Sequence, residues 1–185
     1  MIKYLIFCIL IILNFNANAS IKDEIQKKLK STYNVDFEFE QKINDKIEKG
    51  NCKVSYPKKI YCLYNDRFEK VMVSNGKSLI INSKKIINYY NYKLKDTPLN
   101  LILDKEFLTK KLDEIENINE NSETYFFKVK FNNNLLTIFF DKNDYNIKGW
   151  TTIDVFNNKV ETMLFNVKTN LMLDNNIFKI KNYIN

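Results

Sequence analysis

The sequence predicts a mainly β protein: an antiparallel sheet of about nine to eleven short strands, with helices at the start of the chain and near its middle. Three observations carry this reading. Apolar and polar side chains alternate over short runs, as in Val35, Phe37, Phe39 and Gln41 against Asp36, Glu38 and Glu40, which is the period of a half-buried strand. Turn signals divide the runs, among them Pro57, Asn75-Gly76, Asn132-Asn133-Asn134, Lys142-Asn143-Asp144 and Asn157-Asn158,. Apolar residues at helical spacing recur in two places only, residues 21–29 and 99–115.

The first nineteen residues stand apart. Lys3 gives a positive start, Leu5 to Leu13 is unbroken and apolar, and Ala17-Asn18-Ala19 is a small-x-small cleavage site,. The apolar run is shorter than the roughly 20 residues of a membrane span. Cys8 follows Phe7, not the small residue of a lipidation motif. Residues 1–19 are therefore expected to be a signal peptide, and residues 20–185 a single exported domain. Its length allows a real core.

Ser20-Ile21-Lys22-Asp23 has capping-box spacing, and Ile21, Ile25 and Leu29 follow as a helical stripe,. After the strand Val35–Gln41 and a polar stretch, Gly50 to Tyr64 reads as a hairpin reversing at Pro57-Lys58-Lys59, because proline presets a turn and cannot donate to a ladder. With Pro57 at the centre, Cys52 faces Cys62 and Val54 faces Ile60 on one apolar side. In an oxidising compartment the cysteines could form a disulfide; two buried free thiols are the alternative. Strands follow at Phe68–Ser74 and Lys77–Asn82 around Asn75-Gly76, then at Ile86–Leu94. Thr97 is an expected N-cap with Pro98 at the first helical position, and Phe107–Ile115 is helical again. Five strands are expected after that, at Glu123–Phe131, Leu135–Asp141, Ile147–Val155, Val160–Lys168 and Phe178–Tyr183.

The chemistry on offer is narrow. There is no histidine, which removes His-based triads and bases and most catalytic zinc sites. No glycine-rich phosphate loop is present: Gly50, Gly76 and Gly149 are isolated,. No catalytic residue, metal site or cofactor is expected, and the protein is not read as an enzyme. The net charge is +7, but lysines are spread along the chain among acids, the pattern of a solvated surface and not of a nucleic-acid face. What the chain offers is apolar area. Phe37, Phe39, Val54, Ile60, Val71 and Val73 are the candidate lining of an apolar ligand site, though for any one of them a filled core is the plainer reading.

With these pieces in order, the mature chain resembles the periplasmic outer-membrane lipoprotein carriers of LolA type. The matching pieces are the first helix, Phe37-Glu38-Phe39-Glu40-Gln41, Gly50 before the strand that ends at Pro57, Val73-Ser74-Asn75-Gly76-Lys77-Ser78-Leu79, and Thr97-Pro98-Leu99. The resemblance implies an incomplete antiparallel barrel whose apolar concave face is covered by helices. It implies a monomeric periplasmic carrier of a Gram-negative bacterium, taking acylated lipoproteins from an inner-membrane ATP-driven release complex to an outer-membrane receptor. Where that family carries a lid-holding arginine before the proline, this chain has Tyr56. A phenol can lie against Leu99 and Ile102 of the lid and offer one hydroxyl to the helix backbone. The alternative from another class is a half-barrel sensor of lipid or lipoprotein, acting as a regulatory binding module.

Overall fold

The computed structural model describes residues 20–184 apart from 84, 132–133 and 155–156. The expected signal peptide, the Asn132-Asn133 turn and the end of the Ile147–Val155 strand lie outside the described residues.

The capping box forms as the sequence predicts. Ser20 Oγ accepts from Asp23 N, and the Asp23 carboxylate accepts from Ser20 N, opening α1 at Ile21–Ser31. A six-strand meander follows: β1 (Asn34–Ile43), β2 (Lys46–Ser55), β3 (Lys59–Tyr64), β4 (Lys70–Asn75), β5 (Ser78–Ser83) and β6 (Ile86–Lys93). The polar stretch after Gln41 is a tight turn with strand on both sides, made possible by Asn44 at φ 53°. Gly76 takes φ 96° in the β4–β5 turn, a conformation that costs glycine little.

The helical middle comprises α2 (Leu99–Ile102) and α3 (Lys105–Glu114). Thr97 does not cap α2; its hydroxyl donates to Leu94 O at 2.9 Å, and the helix is a single turn. Asp104 caps α3 by accepting from Phe107 N at 3.1 Å. The second meander is β7 (Asn119–Glu120), β8 (Thr124–Phe131), β9 (Asn134–Asp141), β10 (Ile147–Ile153) and β11 (Lys159–Thr169). Pairing of β1 with β11 joins the meanders into one 11-stranded antiparallel sheet, in the order β6-β5-β4-β3-β2-β1-β11-β10-β9-β8-β7. The terminal strands do not meet, so the barrel is incomplete.

Alternation sets the faces. Phe37, Phe39, Val54, Ile60, Leu164 and Trp150 belong to one core cluster with Ile25 and Leu29 of α1, Ile102 of α2, and Leu108 and Leu112 of α3. All three helices therefore cover the concave face. Gln26 of α1 ties to α3 through Asp113 at 2.6 Å and Thr109 O at 3.2 Å, and Lys22 reaches Ile115 O at 2.6 Å.

Phe178–Tyr183 is not a strand. It forms two short 3-10 turns, Asn175–Phe178 and Ile180–Asn182, packed against β3 and β4. Asp174 accepts from Asn176 N and starts the first turn, the local side-chain bond by which aspartate competes with extended structure. Asn82 donates to Tyr183 O, and the Tyr183 ring lies 5.7 Å from that of Tyr61. The segment straps the convex face.

Candidate functional site

The concave face holds an apolar cavity in two compartments. The tight one has a volume of about 30 Å³ and lies where α1, β2 and the start of α3 meet, lined by Leu29, Val54, Tyr56, Leu103 and Ile147. That is room for about one water. The wide one has a volume of about 280 Å³ and lies toward β4, β5 and α2, lined by Phe39, Tyr64, Met72, Leu79, Ile81 and Leu99. Phe37, Ile60, Ile102 and Trp150 line both compartments and form the waist between them.

The Phe37-x-Phe39-x-Gln41 run explains the wide compartment's gradient. One strand face presents two phenyl rings and then an amide, whose Nε2 donates to the buried Thr162 Oγ1 at 2.9 Å. Gln41, Thr97, Thr152, Asp154 and Thr162 are the polar groups set into an otherwise apolar lining. Gly50 allows the Phe39 ring its place: a Cβ there would lie 2.8 Å from that ring and nearer still to Leu63 O. Phe39 then meets Tyr64 edge to face, with ring centres 5.0 Å apart,.

Cys52 and Cys62 are joined by a disulfide and are directly opposed in the β2–β3 register, with Cα atoms 4.1 Å apart. Both line the wide compartment. Free thiols are thus the discarded alternative. Val71 and Val73 require a correction. In the β3–β4 register Met72 pairs with Cys62, so Met72 faces the cavity, while Val71 and Val73 pair with Leu63 and Tyr61 on the convex side. They are buried, outside the core cluster, on the strand that the C-terminal strap covers. Phe37, Phe39, Val54 and Ile60 are brought together at the cavity; Val71 and Val73 are not.

The closure at the tight end is also partly new. Tyr56 lines the tight compartment beside Ile102 and Leu103, whereas Leu99 lines the wide one. Burial raises the Tyr56 phenol pKa. No helix group takes its hydroxyl among the described residues, contrary to the expectation of one hydrogen bond there. Two residues further on, Lys58 supplies the polar contacts. Its N–H donates to Leu103 O at 3.0 Å, and its Nζ lies 3.1 Å from Asp104 Oδ2. Lys105 Nζ donates to Thr32 O and stands 5.2 Å from the centre of the Tyr56 ring, and burial lowers its pKa. The sequence reading missed Lys58 and Asp104, Met72, and Trp150; a lone tryptophan after a strand glycine was the one available signal for the last.

Among the described residues no group of three or more His, Cys, Asp or Glu could hold a metal ion, and no helix is long and apolar enough to cross a membrane. Fold and site together define the class: an unclosed antiparallel barrel with a helix-covered apolar hollow. A family model described as outer membrane lipoprotein carrier protein LolA matches residues 29–181, and the chain belongs to that family. A comparison with curated proteins finds no match.

Among solved structures, an uncharacterized conserved protein from Thermus thermophilus is similar at TM-score 0.52 and 5% identity, covering 84% of this chain and 88% of that one. A LolA superfamily protein from Nitrosomonas europaea is similar at TM-score 0.47 and 8% identity, covering 87% and 98%. The Pseudomonas aeruginosa MucA/MucB complex contains a chain similar at TM-score 0.45 and 8% identity, covering 84% of this chain and 58% of that one. The first of these likenesses shows the fold alone.

Proposed function

We propose that the chain is exported, cleaved after Ala19, and acts in the periplasm as a monomeric carrier of acylated lipoproteins. It accepts them from an inner-membrane ATP-driven release complex and hands them to an outer-membrane receptor, without catalysing a reaction. The observation that carries this reading is the wide compartment: an apolar hollow of about 280 Å³ covered by the single turn of α2, with the α2–α3 junction beyond it held to the β2–β3 turn by the Lys58 N–H to Leu103 O bond and the Lys58–Asp104 ion pair. Each methylene removed from water contributes about 0.8 kcal/mol, so an acyl chain of about a dozen methylenes gains on the order of 10 kcal/mol in such a hollow. Unaided passage through water is too costly, and a hollow that held the chain without competition would not release it. A lid that closes on its own side chains supplies the competition.

The wide compartment is small for such a ligand. Pockets that enclose a drug-sized ligand span about 300–1,000 Å³, and the wide compartment, at about 280 Å³, lies just below that range. Several acyl chains require the lid to lift. The test is release of a radiolabelled lipoprotein from spheroplasts. Added mature protein is expected to bring it into solution as a one-to-one complex, and the lipoprotein is expected to appear later in the outer-membrane fraction. Lipoprotein that stays in the spheroplasts would overturn the proposal.

A further inference from the structure

The two free edges of the sheet differ. β7 is two residues long, one of the ways proteins blunt an edge, whereas β6 has eight residues, Ile-Ile-Asn-Tyr-Tyr-Asn-Tyr-Lys. Edges are otherwise protected by charge, proline or a bulge. β6 has no proline and no charge before Lys93; its pairing is irregular between Ile86 and Tyr90, opposite Ile81–Ser83, and regular from Tyr90 to Lys93.

The register shows which backbone groups are unused. Leu94 N donates to Lys77 O at 2.9 Å, and Tyr92 and Tyr90 pair with Leu79 and Ile81. In an antiparallel ladder bonding alternates along the strand, so Leu94, Tyr92 and Tyr90 bond to β5, while Asn91 turns its N–H and C=O outward and Lys93 its N–H, the Lys93 C=O opening the 3-10 turn Leu94–Asp96. The same parity places Tyr90 and Tyr92 on the face of Leu79 and Ile81, which line the wide compartment. Their rings stack with centres 6.4 Å apart and interplanar angle 15°, and they are 62% and 44% exposed. The hollow's apolar lining thus runs out to an open edge.

We propose that β6 docks an extended peptide as an added strand, and that this peptide is the segment of the ligand's polypeptide next to its acylated residue. The inference rests on the carrier reading above. A chain whose lipid lies against Leu79 and Ile81 of the wide compartment and leaves on the β6 side has its first residues beside the edge at high effective concentration,. Main-chain bonds to Asn91 and Lys93 are indifferent to sequence, which suits a carrier of many cargoes. In the register that sets Lys85 of each copy opposite Lys93 of the other, antiparallel self-pairing of β6 meets like charge at both ends, offset at Lys85 by its ion pair with Glu69. A peptide with neutral or acidic residues meets Lys93 and Lys95 favourably.

The experiment uses the mature protein and a synthetic probe, a palmitoylated peptide of about eight Ser, Thr and Asp residues, the length of β6. It is compared with the same peptide N-methylated at alternate residues and with palmitate alone, by calorimetry. The unmodified peptide is expected to bind about tenfold more tightly than its N-methylated twin. Asn91→Pro removes one outward N–H that no native bond uses; it should abolish that difference and leave palmitate binding unchanged. Equal affinity of the two peptides, with palmitate bound, overturns the edge proposal and leaves the carrier reading standing. Failure of palmitate and both peptides to bind overturns both. A dimer in sedimentation that Asn91→Pro dissolves would show that the edge pairs with itself, and would also overturn the proposal.

Discussion

The tight and wide compartments share the waist of Phe37, Ile60, Ile102 and Trp150, yet one is filled and the other is not. At the tight end α1, the β2–β3 turn and the α2–α3 junction interlock: Leu103 is 2% exposed, Lys58 bonds its carbonyl, and Asp104 both caps α3 and pairs with Lys58. At the wide end only the single turn of α2 lies over the sheet, with Leu99 partly exposed and a hollow beneath. The same kinds of apolar side chain line both. Helix length and turn contacts decide which end is packed core and which is hollow.

The sharpest way to break this comparison is to make the same substitution at each end. Leu103→Ala leaves a hole in packed surroundings and is expected to cost about 2–5 kcal/mol. Leu99→Ala borders space already present and is expected to cost less than about 1 kcal/mol, since little packing is lost. Urea denaturation of the two variants checks this. Similar losses would erase the distinction between the ends.

Reducing Cys52–Cys62 comes next. The bridge closes a short loop, at sequence separation 10, so about 2–3 kcal/mol is the expected loss. Denaturation with and without reductant measures it, and thiol labelling of the unfolded, unreduced mature chain should find neither cysteine free.

Met72→Trp places a larger apolar side chain in the wide compartment. Because space is available there, stability should change by less than about 1 kcal/mol, while uptake of a fluorescent hydrophobic dye should fall about tenfold. Unchanged uptake would place dye binding elsewhere.

The smallest effect concerns the latch. Lys58 and Asp104 are about 33% and 24% exposed as side chains, so their coupling should be about 0.2–1 kcal/mol. A double-mutant cycle of Lys58→Met with Asp104→Asn measures it, since asparagine keeps the α3 cap. Tyr56→Phe should change little, because the hydroxyl has no partner in the lid, while Tyr56→Ala should increase dye uptake by ligand-free protein. No increase would remove Tyr56 from the closure.

Much of the fold was legible because its signals are local. Pro57 set the hairpin centre, and from it the Cys52–Cys62 and Val54–Ile60 registers followed; Asn75-Gly76 and the capping box were equally direct. The failures were tertiary. Strand alternation tells which residues share a face but not which face is concave, so Val71 and Val73 were assigned inward when Met72 between them points there. The pattern of Phe178 and Ile180 fits a strand, yet both sheet edges lie elsewhere in the order and the segment straps the convex face. The Lys58–Asp104 contact joins residues distant in sequence and has no periodicity to reveal it.

The central claim is that the wide compartment receives an acyl chain, and photolabelling tests it most directly. A palmitate analogue with a diazirine near its methyl end is bound to the mature protein, irradiated, and the adducts are mapped by mass spectrometry. The account predicts labels on Met72, Leu79, Ile81 and Leu99, diminished in Met72→Trp. Labels confined to the strapped convex face, or unaffected by filling the compartment, would contradict it.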